Sequence, residues 1–292
     1  MGLKVYLNGE FVDKDKAKIS VFDHGLLYGD GVFEGIRSYG GLIFQLKGHM
    51  NRLYKSAKGI KLKIPASKEE LEKAVIDTLK INKLKDAYIR LIITRGIGDL
   101  GLDPGTCREP SVIIITDKIA LYPKELYEKG LKIIVAETKR NSNEALPPTI
   151  KSLNYLNNIL AKTEATEAGV KEALMLNAEG YLCECTGDNI FIIKDKVLIT
   201  PSIDAGALEG ITRDTVIEIA GEKNIKVKKK LMRVEELYEA DECFLTGTAA
   251  EIIPVTKVEH KTIRDGKPGH LTGEFIKRFR ELTKTKGVRY AL

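Results

Sequence analysis

The chain has 292 residues, 43% of them hydrophobic and 30% charged, and its Lys and Arg exceed its Asp and Glu by 47 to 41. That length allows a large core and predicts two domains, and no apolar run is long enough to span a membrane. The net charge of +6 is interleaved along the chain, which argues against a nucleic-acid surface; the one dense basic run, 226–230, reads as a blunted sheet edge. A basic, non-enzymatic nucleic-acid-binding protein is therefore only the different-class alternative. Gln45 is the single glutamine, and the abundance of Lys, Glu and Ile leans towards a thermophile. Cysteines at 107, 183, 185 and 243 lack zinc-like spacing and read as buried, reduced thiols of a cytoplasmic protein.

Taken in chain order, Tyr6-Leu7-Asn8-Gly9 reads as a strand entering a turn, with no signal-peptide character. Ser67 and Glu70 form a capping box, and Leu71, Ala74, Val75 and Leu79 follow at helical spacing. Residues 88–95 alternate as a strand, with Tyr88 and Arg90 on one face and Ile89, Leu91 and Ile93 on the other. Residues 96–105 match a dinucleotide-type glycine pattern on paper, but Pro104 and Gly105 stand where its helix would begin, so they read as a mobile surface loop. Another strand spans 111–116. The pattern breaks between 119 and 130 at Leu121-Tyr122-Pro123, which sets the expected domains at 1–120 and 131–292 with a linker over 121–130.

The second part opens with a strand at 131–136. A helix after Lys151 groups Leu156, Ile159, Leu160 and Thr163 on one face. Hairpins follow around Glu179-Gly180 and Asp195-Lys196, Thr212 caps a helix, and strands near 225–230, 242–246 and 252–258 precede a helix over about 272–285. Clustered strands with separated helices predict an α+β protein.

Four features carry chemistry. Lys151 stands between the Pro147-Pro148 loop and a polar helix start bearing Tyr155. Glu184 ends a hairpin strand, Gly210-Ile211-Thr212 enters a helix, and Thr246-Gly247-Thr248-Ala249 enters a tight turn. An amine, a carboxylate, a helix N-terminus and a Gly-Thr turn are what a pyridoxal phosphate site needs: the amine holds the cofactor's aldehyde, the acid keeps the ring nitrogen protonated, and backbone amides hold the phosphate.

Further motifs stand in order with these: Tyr28-Gly29-Asp30-Gly31-Val32-Phe33-Glu34-Gly35-Ile36-Arg37, His49-Met50-Asn51-Arg52-Leu53, Ala87-Tyr88-Ile89-Arg90 and the Gly-Thr-Ala-Ala-Glu turn. On them the chain resembles, over nearly its whole length, the branched-chain amino acid aminotransferases, pyridoxal phosphate enzymes of fold type IV with a smaller N-terminal and a larger C-terminal domain. Same-superfamily alternatives are a D-amino acid aminotransferase and an aminodeoxychorismate lyase.

The resemblance implies transamination of L-leucine, L-isoleucine and L-valine with 2-oxoglutarate. It implies Lys151 as the catalytic, cofactor-bearing lysine, Glu184 as the acid at the pyridine nitrogen and Tyr155 at the phenolic oxygen. Arg52, the amides of Ile211 and Thr212, and Thr248 form the implied phosphate cup. Tyr28, Phe33 and Tyr122 are the implied aromatic wall for substrate, and Tyr88 with the Thr248 and Ala249 amides holds its α-carboxylate. Arg90 is the residue expected to meet the second carboxylate of glutamate; an ion pair with Glu34 is its alternative role. Relatives build each site at a dimer interface, so a dimer is the minimum assembly and a hexamer the larger one. No metal is expected.

Overall fold

The structure is a computed structural model and describes residues 2–118 and 122–292. Ile119, Ala120 and Leu121, part of the expected boundary, lie outside the described residues. The chain divides into two compact units: Met1–Ile119, Ile150–Asn154 and Thr283–Leu292 form one, and Ala120–Thr149 with Tyr155–Leu282 form the other. Both combine sheet and helix, in agreement with the α+β class.

The first unit is built on a seven-stranded antiparallel sheet. Its strands are β1 (Lys4–Leu7), β2 (Glu10–Asp13), β3 (Gly31–Tyr39), β4 (Leu42–Phe44), β5 (Ala87–Thr94), β6 (Ser111–Asp117) and the C-terminal strand Gly287–Arg289. From one edge the order is C-terminal strand, β4, β3, β5, β6, β1, β2. The alternation of β5 is as expected: Ile89, Leu91 and Ile93 are fully buried in the core, and Tyr88 and Arg90 lie half-buried on the other face. Helices α1 (His24–Tyr28), α2 (Leu46–Gly59) and α3 (Lys68–Ile81) complete the unit. The expected capping box starts α3, where Ser67 Oγ accepts from the Glu70 N–H at 3.2 Å and Glu70 Oε2 accepts from the Ser67 N–H at 2.7 Å.

One residue breaks the apolar pattern. On β3 the register of Val32 and Ile36, both in the core, also carries Glu34, which is 0% exposed. Its partners come from α2. Arg52 donates from Nε to Oε1 at 2.7 Å and from Nη2 to Oε2 at 2.8 Å, and His49 Nδ1 lies 2.7 Å from Oε2. Burial by itself raises the Glu34 carboxyl, but Arg52 and then His49 outweigh it and lower it from 4.5 to about 2. Burial pushes His49 down from its ordinary value against the pull of Glu34, so the imidazole is neutral near pH 7 and Nδ1 carries the proton donated to the carboxylate.

Residues 96–105 form a largely exposed loop that hydrogen-bonds to α1 and within itself. The Tyr28 hydroxyl donates to the Leu100 carbonyl, His24 Nε2 lies 2.7 Å from the Asp99 carbonyl, and Asp103 Oδ1 accepts from the Gly105 N–H at 2.8 Å.

The second unit holds a nine-stranded mixed sheet. Its strands are β7 (Leu131–Val135), β8 (Glu172–Leu176), β9 (Leu182–Cys185), β10 (Asn189–Lys194), β11 (Val197–Pro201), β12 (Val227–Lys230), β13 (Glu242–Gly247), β14 (Glu251–Val258) and β15 (Lys261–Thr262). The order runs β12, β11, β10, β13, β14, β7, β8, β9, with β15 on β14. The basic run is an edge strand, as expected. Helices α4 (Lys124–Lys129), α5 (Leu156–Glu167), α6 (Ile211–Glu222), α7 (Val234–Tyr238) and α8 (His270–Leu282) accompany it.

Helix α5 groups its larger apolar residues on one face, as expected, and turns that face outward. Its buried residues are Asn158, Ala161 and Ala165, while Leu156, Ile159 and Leu160 are 67%, 57% and 50% exposed. The small side chains form a cluster with Ala136, Ala173 and Met175, so α5 lies close to the sheet through its alanines. The structure also corrects the cap of α6: Gly210 is the N-cap, and Thr212 sits within the first turn.

Because the folded value of Glu34 lies below its ordinary 4.5, its stabilising contribution is complete above that pH and is lost as pH falls towards about 2. Denaturant midpoints measured across that range should fall accordingly. Glu34→Gln should lose this limb of the acid transition and be less stable at neutral pH by about 3–5 kcal/mol, since the guanidinium loses the carboxylate that offsets its burial.

Candidate functional site

In the first unit, the segment carrying Lys151 is held by backbone pairing. The Phe33 N–H donates to the Lys151 carbonyl at 3.1 Å, the Leu153 N–H donates to the Gly31 carbonyl at 2.9 Å, and Val32 and Ser152 form an antiparallel bridge. β4 pairs with β3 only at Ser38 and Tyr39, so the opening stretch of β3 has an edge that residues 151–153 take up. The Lys151 N–H donates to Ser56 Oγ of α2 at 3.1 Å, which fixes the segment from a second side. Lys151 Nζ sits 4.6 Å from the centre of the Phe33 ring, a cation–π arrangement that holds the amine over an apolar face.

That same sheet face carries Phe33, Tyr88 and Arg90 of the expected substrate residues. Gly35 is paired with Arg90, and Phe33, Arg37 and Tyr88 flank them in register. A Cβ on Gly35 would lie 2.1 Å from the Tyr88 hydroxyl, so only glycine lets the tyrosine cross β3. The Arg90 guanidinium stacks 4.6 Å above Phe33 and donates to the Tyr88 hydroxyl at 3.1 Å. Glu34 points to the opposite face and is paired with Arg52 and His49, and among the described residues no carboxylate forms an ion pair with Arg90. The expected alternative partner of Arg90 is thus committed elsewhere. Arg52, the expected phosphate ligand, is anchored by its two bonds to Glu34.

In the second unit, the Glu184 carboxylate is buried on β9 and surrounded by donors. Arg140 Nη2 donates to Oε1 at 2.7 Å. The Leu208 N–H and Asn189 Nδ2 donate to Oε2 at 2.9 and 3.3 Å. Asn189 also donates to the Leu208 carbonyl at 2.9 Å. It therefore links the acid to the segment that leads into α6, where the first-turn amides of Ile211 and Thr212 have no carbonyl within the helix to receive them. A Cβ on Gly210 would lie 2.0 Å from Asn189 Oδ1, so this cap must be glycine for the helix start to sit against the asparagine. Asn189 pairs with Thr246 across β10 and β13, which brings the turn bearing Thr248 and Ala249 beside the same group. Tyr155 is the N-cap residue of α5. Tyr122 is buried in the core of this unit, its ring edge-on to Tyr127 at 6.4 Å.

The second unit thus gathers a fixed anion acceptor, a helix N-terminus and a Gly-Thr turn around Asn189. These are the donors and acceptors that a phosphorylated, ring-protonated cofactor requires. The class IV amino-transferase family matches residues 31–258. The chain belongs to the class IV aminotransferases.

Within the class IV aminotransferases, the chain is 49% identical over 287 residues to a Methanocaldococcus jannaschii protein assigned, provisionally, as a branched-chain-amino-acid aminotransferase, covering 98% of this chain and 99% of that one. It is similar to the crystal structure of the Escherichia coli branched-chain amino acid aminotransferase, with a TM-score of 0.94, 36% identity and coverage of 99% and 97%. It is also similar to the Thermobaculum terrenum branched-chain amino acid aminotransferase solved in its pyridoxal phosphate holo-form, with a TM-score of 0.88, 31% identity and coverage of 98% and 95%. The fold is accordingly that of the fold type IV enzymes.

Arg140 and Asn189 were not legible in the sequence as site residues, and Glu34 reads there only as a possible partner of Arg90. For Glu34 a signal was present: a carboxylate on the apolar register of a strand must find cations inside. For Arg140 no local signal exists, since its partner is 44 positions away.

Gly210→Ala should force Asn189 from its place and destabilise the protein by about 1–3 kcal/mol, the usual range for overpacking. Adding Asn189→Ala removes the clash, so the double variant should lose less than the sum of the two single losses in chemical denaturation. Additive losses would show that the close approach carries no strain.

Proposed function

We infer that the chain moves the amino group of L-leucine, L-isoleucine or L-valine to 2-oxoglutarate, with pyridoxal 5'-phosphate as cofactor, giving branched-chain 2-oxo acids and L-glutamate. The face shared by Phe33, Gly35, Tyr88 and Arg90 is the observation that carries the substrate class: aromatic surface for an aliphatic side chain, with one guanidinium at its border for a second carboxylate. Relatives of known name over the whole chain length support the same reading.

The cofactor, when bound, supplies a protonated ring that accepts the electron pair released when the amino acid's Cα–H bond breaks. The chain's own residues do the rest. Lys151 would hold the cofactor, and its amine would move the proton between the substrate's Cα and the cofactor's C4′ carbon. Glu184 keeps the ring nitrogen protonated, and Tyr155 donates to the phenolic oxygen. Arg52, the Ile211 and Thr212 amides and Thr248 bind the phosphate. Tyr88 and the amides of Thr248 and Ala249 take the α-carboxylate, Tyr28, Phe33 and Tyr122 form the aromatic wall, and Arg90 takes the side-chain carboxylate of glutamate.

Self-association is part of this reading, with a dimer as the minimum. Leu156, Ile159 and Leu160 of α5, and Leu100 and Leu102 of the glycine-rich loop, expose apolar surface of the kind that a second copy covers. Three of the four free cysteines are buried, which suits a reducing cytoplasm. No described helix is long and apolar enough to cross a membrane.

The holoenzyme should be yellow and lose its visible band on addition of L-leucine but not D-alanine. A response to D-alanine alone would identify a D-amino acid aminotransferase, and a protein that binds no cofactor would end the reading. Borohydride reduction should label Lys151, and Lys151→Ala should abolish transamination; a label on Lys162 would reassign the amine.

Arg90→Ala separates the two half-reactions. Single-turnover kinetics should show a loss of about 2–3 kcal/mol with 2-oxoglutarate, typical of a charge-assisted pair, and a much smaller loss with leucine. Equal losses would make Arg90 structural.

A further inference from the structure

Arg140 is a buried charged group that these roles leave unused. Its side chain is 6% exposed and that of Glu184 is 7% exposed. Nη2 donates to Glu184 Oε1 at 2.7 Å, and Nη1 donates to Asn158 Oδ1 at 3.0 Å and Asn157 Oδ1 at 3.3 Å. Asn158 is itself tied down, donating from Nδ2 to the Thr186 carbonyl at 2.9 Å. Nε is buried with no hydrogen-bond partner among the described residues. A guanidinium taken out of water with one donor unpaired is a poor choice for stability alone, because a well-packed apolar side chain avoids both penalties.

The geometry around the carboxylate shows what the arginine achieves. An ionised carboxylate has about four acceptor places, two on each oxygen. Among the described residues, Oε2 receives both Leu208 N–H and Asn189 Nδ2, whereas Oε1 receives only Arg140. The acceptor place left over is therefore on Oε1. The rigid fork of Arg140 spans Asn158 and Glu184 together, so it sets the rotation of the carboxylate as well as the charge beside it.

We propose that Arg140 is a positioning residue for the transamination: it turns Glu184 so that Oε1 faces the cofactor's ring nitrogen, and its fixed positive charge opposes transfer of the ring proton onto that oxygen. This rests on the reading of Glu184 as the ring's acid partner. The guanidinium touches neither substrate nor cofactor in this role and acts through Glu184 alone. It holds the carboxylate ready before the cofactor arrives, so its loss affects cofactor capture as well as turnover.

The experiment compares Arg140→Gln, Glu184→Gln and the double variant as holoenzymes. Three quantities are read: the visible absorbance band across pH without substrate, the cofactor dissociation constant of each apoprotein, and kcat with KM for L-leucine. Arg140→Gln should alter the band and its pH profile in the same direction as Glu184→Gln. It should weaken cofactor binding and lower kcat by about 10–100-fold, the range seen when the partner of a direct ligand is removed, with KM changing far less. In the Glu184→Gln background it should produce no further change in the band. Independent, additive effects on the band, or a wild-type band and kcat in Arg140→Gln while Glu184→Gln is impaired, would overturn the proposal. A wild-type band and kcat in Glu184→Gln would instead overturn the assignment of the acid itself. If Arg140→Gln does not fold, Arg140→Lys takes its place, keeping the charge but lacking the fork. A reduced kcat with an altered band supports positioning, and wild-type values for both refute it.

Discussion

Removing a carboxylate from water carries a penalty of several kcal/mol unless donors replace its hydration, and each compact unit of this chain meets that constraint at a buried glutamate on a strand. Glu34 sits on the buried face of β3 and is met by Arg52 and His49, one helical turn apart on α2. Glu184 sits on β9 and is met by Arg140, Asn189 and the Leu208 N–H. In both cases the donors arrive from outside the carboxylate's own strand, so satisfying the charge also fixes how that strand packs against its neighbours. The pairs contribute specificity of arrangement where an apolar pair would contribute only burial.

The two carboxylates differ in what their saturation leaves over. Glu34 is enclosed by a bidentate arginine and a neutral histidine, and its ionised state is secured far into acid. It serves as an anchor, giving Arg52 a defined direction. Glu184 retains an acceptor place beside Arg140, so its saturation is incomplete by one bond. In the proposed function, that spare acceptor place is where the protonated ring would donate and complete the set.

Close approach is the second theme. Gly35 lets Tyr88 cross β3, and Gly210 lets the start of α6 rest on Asn189. The alanines of α5 bring that helix near the sheet and leave its leucines outward. Each case exchanges side-chain volume for position. A helix that turns its larger apolar residues to solvent is stable by itself only at the expense of exposed surface, which is why assembly belongs to the functional reading.

Local chemistry was legible in the sequence. The period of β5, the capping box of α3, the two hairpins and the basic edge strand all follow from side-chain alternation, caps and turn residues acting over a few positions. The ordered motifs also named Lys151, Glu184 and the residues around them, and the class IV family membership agrees with that resemblance. What only the tertiary structure decided involves partners far apart in the chain. Residues 151–153 complete the edge of β3 more than a hundred positions earlier, because β4 leaves that edge unpaired. Glu34 chose Arg52 over Arg90 because α2 covers its face of the sheet and Arg90 lies on the other. Which face of α5 is buried was also decided by packing, because Ala161 and Ala165 fit more closely against the sheet than the larger apolar residues do. Arg140 reached Glu184 through the folding of β7, β8 and β9 alongside one another. A charge pair formed across a sheet leaves no periodic trace in the chain, since its spacing is set by topology and not by the repeat of a helix or strand.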